Sequence, residues 1–229
     1  EPYVELNCDI DYDPFMFMKI NNKAYGFTIT LIEYEETIPS LWDHTKQFMK
    51  LHPDYFASDN LVEFVIDNGD FETSNYNLCH FWSNFEIGDI NFFRSKQYKD
   101  YFEYLDKTGG FFYERWGDAP VHSIAASLFL NKSQVYHFKD IGYVHDGMGH
   151  CPLGEKQFHE NGKCDCNVVD SVTLLEDYCM GDWWFASREG RPPEREEYKA
   201  LIDELELEDV WIEEGEGEEG GQEDENAGD

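Results

Sequence analysis

Basic residues are scarce in this chain: 17 lysines and arginines face 49 aspartates and glutamates, a formal charge of −32 over 229 residues. A duplex nucleic-acid binder needs a cationic face against the phosphates, so no nucleic-acid partner is expected. The deficit is uneven. Residues 201–229 hold 14 acids and no lysine or arginine, which leaves 35 acids against 17 bases in the first 200 residues. No apolar run approaches the about 20 residues that cross a bilayer, and no signal-peptide pattern opens the chain. An initiator methionine is also missing, and Glu1-Pro2-Tyr3-Val4 reads as a strand already under way inside a domain. There is no glycine-rich phosphate loop, no Gly-x-Ser-x-Gly and no His-Glu-x-x-His, which removes support for P-loop and common hydrolase chemistries. Internal repeats are absent too.

What is abundant is apolar and aromatic. Hydrophobic residues make up 41% and aromatics 17%, enough for a core and for a cleft that stacks on sugar rings. Six cysteines allow 15 full pairings, and they fit either disulfides in an oxidising compartment or buried thiols. Asn131-Lys132-Ser133 is a glycosylation sequon, usable only on the secretory route.

The element pattern is mixed, hence an α/β body over residues 1–190, with a peripheral helix from Pro192-Pro193 and an acidic disordered tail making up 191–229. Tyr3 to Cys8 and Ala24 to Leu31 have strand character. Asp13-Pro14 starts a short helix, and Ser40 is placed to cap another over Leu41–Leu51. A third helix is expected near Leu61–Ile66. Strands are expected around Cys79–Phe85 and Ile87–Phe93. Ser95 caps a helix to about Lys107 that Gly109-Gly110 stops. Ala119–Leu130 reads as helix, Gln134–Phe138 as strand, and Ile141 to about Cys179 as a long ordered loop.

Chemistry gathers between Tyr76 and Pro152. Glu86 follows the aromatic run Phe81-Trp82 and Phe85. Burial there raises a carboxyl pKa unless a donor or cation compensates, and such a group can serve as nucleophile, acid, base or cation stabiliser. The bland alternative is a turn cap or a partner for Arg94 or Arg115. Asp118, in Trp116-Gly117-Asp118-Ala119-Pro120, reads first as a helix N-cap that could still sit at a cleft mouth. Glu1 could present a carboxylate at an element's edge, and Asp9-x-Asp11 has the spacing of a weak divalent-cation pair. His145, His150, Cys151, His159, Cys164 and Cys166 invite a zinc reading, the basis of a metal-stapled interaction module, but Cys164-x-Cys166 is tighter than zinc knuckles use. One histidine joined by a carboxylate suits Mn²⁺ instead.

At these motifs the chain resembles the fungal glycolipid/glycoprotein α-1,2-mannosyltransferases, glycosyltransferase family 15. The likeness is carried by Glu1-Pro2, Cys8-Asp9-Ile10-x-Tyr12-Asp13-Pro14-Phe15, Tyr25-Gly26-Phe27-Thr28, the twelve-residue block Tyr76–Ile87, Glu114–Ser123, Ile141-Gly142-Tyr143-x-His145, His150-Cys151-Pro152 and Gly162-Lys163-Cys164-x-Cys166. It covers roughly residues 1–180. The resemblance implies retaining transfer of mannose from a GDP-mannose donor to a mannosyl glycan acceptor, N- or O-linked. It also implies a GT-A-like α/β nucleotide-sugar transferase fold with Mn²⁺ as cofactor, and a Golgi-lumen, type II membrane protein at full length. Residue by residue, it makes Glu1 and His145 metal ligands, Glu86 the candidate nucleophile, and Asp118 a second acidic active-site position. Tyr3 stands where the family's Glu-Pro-Asp-like motif offers another carboxylate. No counterpart is expected here of the family's upstream N-terminal half, which supplies much of the nucleotide pocket, or of its membrane anchor. The alternative expectation is accordingly a truncated, non-catalytic relative acting as a sugar-binding or scaffold remnant.

Overall fold

The computed structural model describes residues 4–175 and 178–189. The expected helix from Pro192-Pro193, the acidic tail and Glu1 lie outside the described residues.

Strand β1 (Val4–Leu6) leads to helix α1 (Pro14–Ile20), where the Asp13 carboxylate accepts from the N–H groups of Phe15 and Met16 and Pro14 takes the first helical position. The expected single strand over Ala24–Leu31 divides into β2 (Tyr25–Phe27) and β3 (Thr30–Ile32), each in its own sheet. Helix α2 (Leu41–Leu51) has the expected bounds, but Ser40 does not cap it. The Ser40 hydroxyl donates instead to Glu114 Oε1 at 2.5 Å, and its N–H to Glu114 Oε2 at 3.1 Å. Short α3 (Val62–Val65) and β4 (Cys79–Phe81) follow, then β5 (Glu86–Gly88).

The expected strand over Ile87–Phe93 is mostly helix. Asp89 caps α4 (Ile90–Phe93) by accepting from Asn91 N, and this local bond outweighs the β propensity of the aromatic run. Helix α5 (Lys96–Thr108) starts on Ser95, whose hydroxyl accepts from Tyr98 N, and stops at Gly109 with φ 82°. Then come α6 (Gly110–Tyr113), α7 (Asp118–Phe129) and β6 (Val135–His137).

Helix α7 lies at the centre, with most of its residues buried. Its alanines and serines let β4 approach closely: Phe81 N–H donates to Ser123 Oγ at 2.7 Å, and that hydroxyl donates to Ala119 O at 2.6 Å. Beside it Phe27, Phe64 and Phe81 stack, with ring centroids 4.2 and 4.5 Å apart, and Trp183 meets them edge-on. Trp183 belongs to α8 (Met180–Ser187), which Cys79–Cys179 ties to β4.

The sheets are small. Strand β2 runs antiparallel to β5 (Phe27 opposite Glu86) and parallel to β6, while β3 pairs with β4. The stretch read as a long loop contains a hairpin, β7 (Tyr143–His145) and β8 (Met148–His150), with β1 added along β7. Its two-residue turn is Asp146-Gly147, with φ 50° and 79°, the doubly positive geometry that matches strand twist. Disulfides Cys8–Cys164 and Cys151–Cys166 close this region.

Candidate active site

The five residues from Trp82 to Glu86 lead from β4 into β5, and four of them send their side chains to different neighbours. The Trp82 ring meets His145 edge-on with centroids 5.1 Å apart. The Ser83 hydroxyl donates to Asp118 Oδ1 at 2.9 Å. Phe85 packs on Tyr143 and Phe138, anchoring the segment in the core. The Asn84 amide is buried, and neither its nitrogen nor its oxygen has a partner among the described residues.

Glu86 is the most heavily bonded of the five. The Tyr25 hydroxyl donates to Oε2 at 2.6 Å, and His122 Nδ1 lies 3.0 Å from Oε2 and 3.1 Å from Oε1. A carboxylate only accepts, so Nδ1 carries the proton. These donors answer the desolvation expected for an acid after an aromatic run. Among the described residues the basic side chain that meets this carboxylate is His122, not Arg94 or Arg115. Burial pushes the Tyr25 phenol well up, and the nearby charges of Glu86 and then Asp118 add to it, so the hydroxyl remains a donor.

Asp118 and His122 lie four residues apart on α7, on one face and one turn from each other. That face grips the segment twice, at Ser83 through Asp118 and at Glu86 through His122. The two carboxylates are therefore neighbours. Burial, then Glu86, then Asp118 raise the phenol of Tyr98. Asp118 opens the helix one residue inside the N-cap, which is Gly117, so the expected cap is displaced by one position; its Oδ1 accepts from Ala119 N.

Asp118, Ser83 and Trp82 line a cleft of 690 Å³ together with His80, Glu33 and Tyr34. This is the size of a small-molecule site. Burial keeps the His80 imidazole below its usual pKa. Met148, opposite His145 in the hairpin, also lines the cleft, whereas Glu86 and His145 themselves do not. Asp118 thus faces the cleft directly, Glu86 is joined to it through one face of α7, and His145 through Trp82.

Other sequence candidates resolve differently. Asp9 and Asp11 are exposed, and Asp11 pairs with Lys163 at 3.3 Å. All six cysteines are in disulfides, so the zinc reading fails for want of thiolates. His150 Nδ1 bonds Thr173 Oγ1, and His159 Nε2 bonds the Pro152 carbonyl. Among the described residues the tightest grouping of potential ligands is Cys79, Cys179 and Asp182, and its two sulfurs are bonded to each other. Tyr25, His122 and Ser83 escaped sequence reasoning. A tyrosine in a strand and a histidine in an apolar helix look like core residues, although the four-residue spacing of His122 from Asp118 was a usable signal.

Comparison with known proteins places the chain in a family. The family described as glycolipid 2-alpha-mannosyltransferase matches residues 1–188. The chain is 53% identical over 192 residues to the alpha-1,2 mannosyltransferase KTR1 of Saccharomyces cerevisiae, covering 84% of this chain and 48% of that protein. It is 52% identical over 183 residues to the O-glycoside alpha-1,2-mannosyltransferase homolog 3 of Schizosaccharomyces pombe, covering 80% and 48%. The chain spans about half the length of the curated relatives it matches. Among solved structures, core-mannan synthase A (CmsA/Ktr4) of Aspergillus fumigatus, in its Mn/GDP form, superposes with TM-score 0.71 at 41% identity, covering 82% of this chain and 51% of that one. Ktr4p of S. cerevisiae in complex with GDP gives 0.70 at 38%, covering 85% and 50%.

Proposed function

This chain belongs to the glycolipid 2-alpha-mannosyltransferase family, and from that premise we propose that it contributes the catalytic carboxylates of a retaining α-1,2-mannosyltransferase. The donor is GDP-mannose and the acceptor a mannosyl unit of an N- or O-linked glycan. One observation carries the reading: the Glu86 carboxylate is held by Tyr25 and His122, one helical turn from Asp118 at the wall of an aromatic cleft.

In transfer, the bond from the mannose anomeric carbon to the diphosphate breaks, its electron pair leaves with GDP, and the acceptor hydroxyl oxygen bonds on the same face while its proton passes to the departing diphosphate oxygen. Glu86 supplies negative charge to the anomeric carbon as that bond lengthens, and the same carboxylate is required whether or not it bonds covalently. The Tyr25 hydroxyl bonds Oε2 and His122 Nδ1 is shared between both oxygens, so Oε1 is the less occupied of the two. Asp118, held by Ser83, accepts from a sugar hydroxyl in the cleft.

His145 fits a divalent ion. It ends β7 opposite Val4, three residues after Glu1, and an imidazole with a carboxylate is a donor set that suits Mn²⁺. Glu1 as second ligand is carried over from the family motif and lies outside the described residues. When bound, the ion offsets charge gathering on the departing diphosphate. Disulfides suit the lumen of the Golgi, where a type II anchor would hold the enzyme.

The test is incubation with GDP-mannose, MnCl₂ and methyl α-mannoside. Glu86→Gln keeps the size of the side chain, and transfer is expected to fall at least about 100-fold. Methyl mannoside that binds without being extended would point instead to the sugar-binding remnant.

A further inference from the structure

The sequon Asn131-Lys132-Ser133 takes no part in the cleft, and it is the single Asn-x-Ser/Thr triplet in the sequence. It lies just past the C-terminal end of α7, in the turn that leads to β6. The Asn131 amide oxygen faces inward, accepting from Asp59 N at 3.1 Å and Ser58 Oγ at 3.4 Å. A backbone N–H can only donate, so the orientation of the amide is fixed: the oxygen is inside, and Nδ2 diverges from it on the other branch of the planar group. Among the described residues Nδ2 makes no hydrogen bond, and it is not one of the buried atoms left without a partner, so it keeps access to solvent. Ser133 is exposed, and among the described residues only its carbonyl is engaged, by Lys23 Nζ. Independently, all six cysteines pair, which places maturation in an oxidising compartment, where sequons are also used.

We propose that Asn131 carries an N-linked glycan. Nδ2 bonds the anomeric carbon of an oligosaccharide carried on a lipid diphosphate, and the lipid diphosphate leaves with the amide proton. The amide oxygen and the remaining N–H persist after the linkage, so the clasp on Ser58 and Asp59 survives. Asp118 opens the same helix whose far end the sequon follows. Twelve residues of α-helix separate them by about 18 Å, so the glycan stands clear of the cleft.

The experiment produces the whole chain behind a cleavable secretion leader in a eukaryotic host. Cell-retained and secreted material are both treated with peptide N-glycanase and examined by mass spectrometry at position 131. Glycan attachment precedes folding, so a chain that is retained still reports. The expected result is a glycanase-sensitive mass, absent in Ser133→Ala and present at equal or higher occupancy in Ser133→Thr. Ser133→Ala leaves the Asn131 clasp intact and is expected to leave the unfolding midpoint unchanged. A wild-type chain with no glycanase-sensitive mass, or a Ser133→Ala chain that keeps it, overturns the proposal.

Discussion

Two regions meet at Trp82–Glu86, and they are held by different means. Around α7, β4 and α8 the chain is fixed by apolar packing, with Phe27, Phe64, Phe81 and Trp183 fully buried against one another. From Ile141 to Leu175 the core is thinner, and disulfides Cys8–Cys164 and Cys151–Cys166 with a hairpin of three-residue strands supply the constraint. The first region places Glu86 and Asp118, the second His145. Packing sets the position of the carboxylates, and covalent cross-links set the position of the proposed metal ligand.

The sharpest way to break this division is to open Cys8–Cys164 with paired serine substitutions. Its partners are 156 residues apart, and chain entropy assigns such a link roughly 5 kcal/mol. Limited proteolysis is expected to nick residues 141–175 while the α7 core still resists; simultaneous loss of both regions would show one cooperative body. Phe81→Ala is the reciprocal cut. It removes the ring at the centre of the aromatic stack and is expected to cost about 3–5 kcal/mol in denaturant unfolding.

Acid should act on the cross-linked region. His137 and His150 are buried with ring centroids 5.1 Å apart. Burial pushes His150 down to about 4, and burial followed by the neighbouring His150 lowers His137 well below the ordinary value. Both are neutral in the native protein, so the unfolded chain binds protons first as pH drops. Stability is complete above about 6.5 and falls toward 4, by about 2 kcal/mol at pH 5 from His150 alone. Unfolding midpoints measured between pH 7 and 5 check this, and His150→Gln should flatten the slope. The smallest effect is at the seam. Tyr25→Phe removes one hydrogen bond to Glu86 and should lower stability by about 1–2 kcal/mol, leaving the Cys8–Cys164 link intact on non-reducing peptide mapping.

The same division governs what the sequence revealed. Helices α2, α5 and α7 were legible because their apolar spacing and stop signals act locally: Ser95 caps, Gly109 terminates, and Leu41, Phe48 and Met49 share a buried face. Ile87–Phe93 was misread because one carboxylate, Asp89, redirects an otherwise strand-like run. The Asp146-Gly147 turn was written in the chain, yet its flanking strands are too short to show an alternation. Cysteine pairing was beyond reach, since a count of six fixes no partners. At the site, the twelve-residue block ending in Ile87 pointed to Glu86, but its partners lie 61 and 36 residues away in sequence, on a strand and a helix whose meeting only the fold supplies.

The Trp82–Glu86 segment bears on how this protein can vary. Trp82, Ser83, Phe85 and Glu86 each answer to separate neighbours, so deleting a single residue would hand every later one to the wrong counterpart: Asp118 would lose its hydroxyl, or Tyr25 and His122 their carboxylate. Here length is under stricter constraint than identity. Insertions and deletions should be tolerated at Asn68-Gly69, an exposed turn with open space around its glycine, and rejected between Phe81 and Ile87.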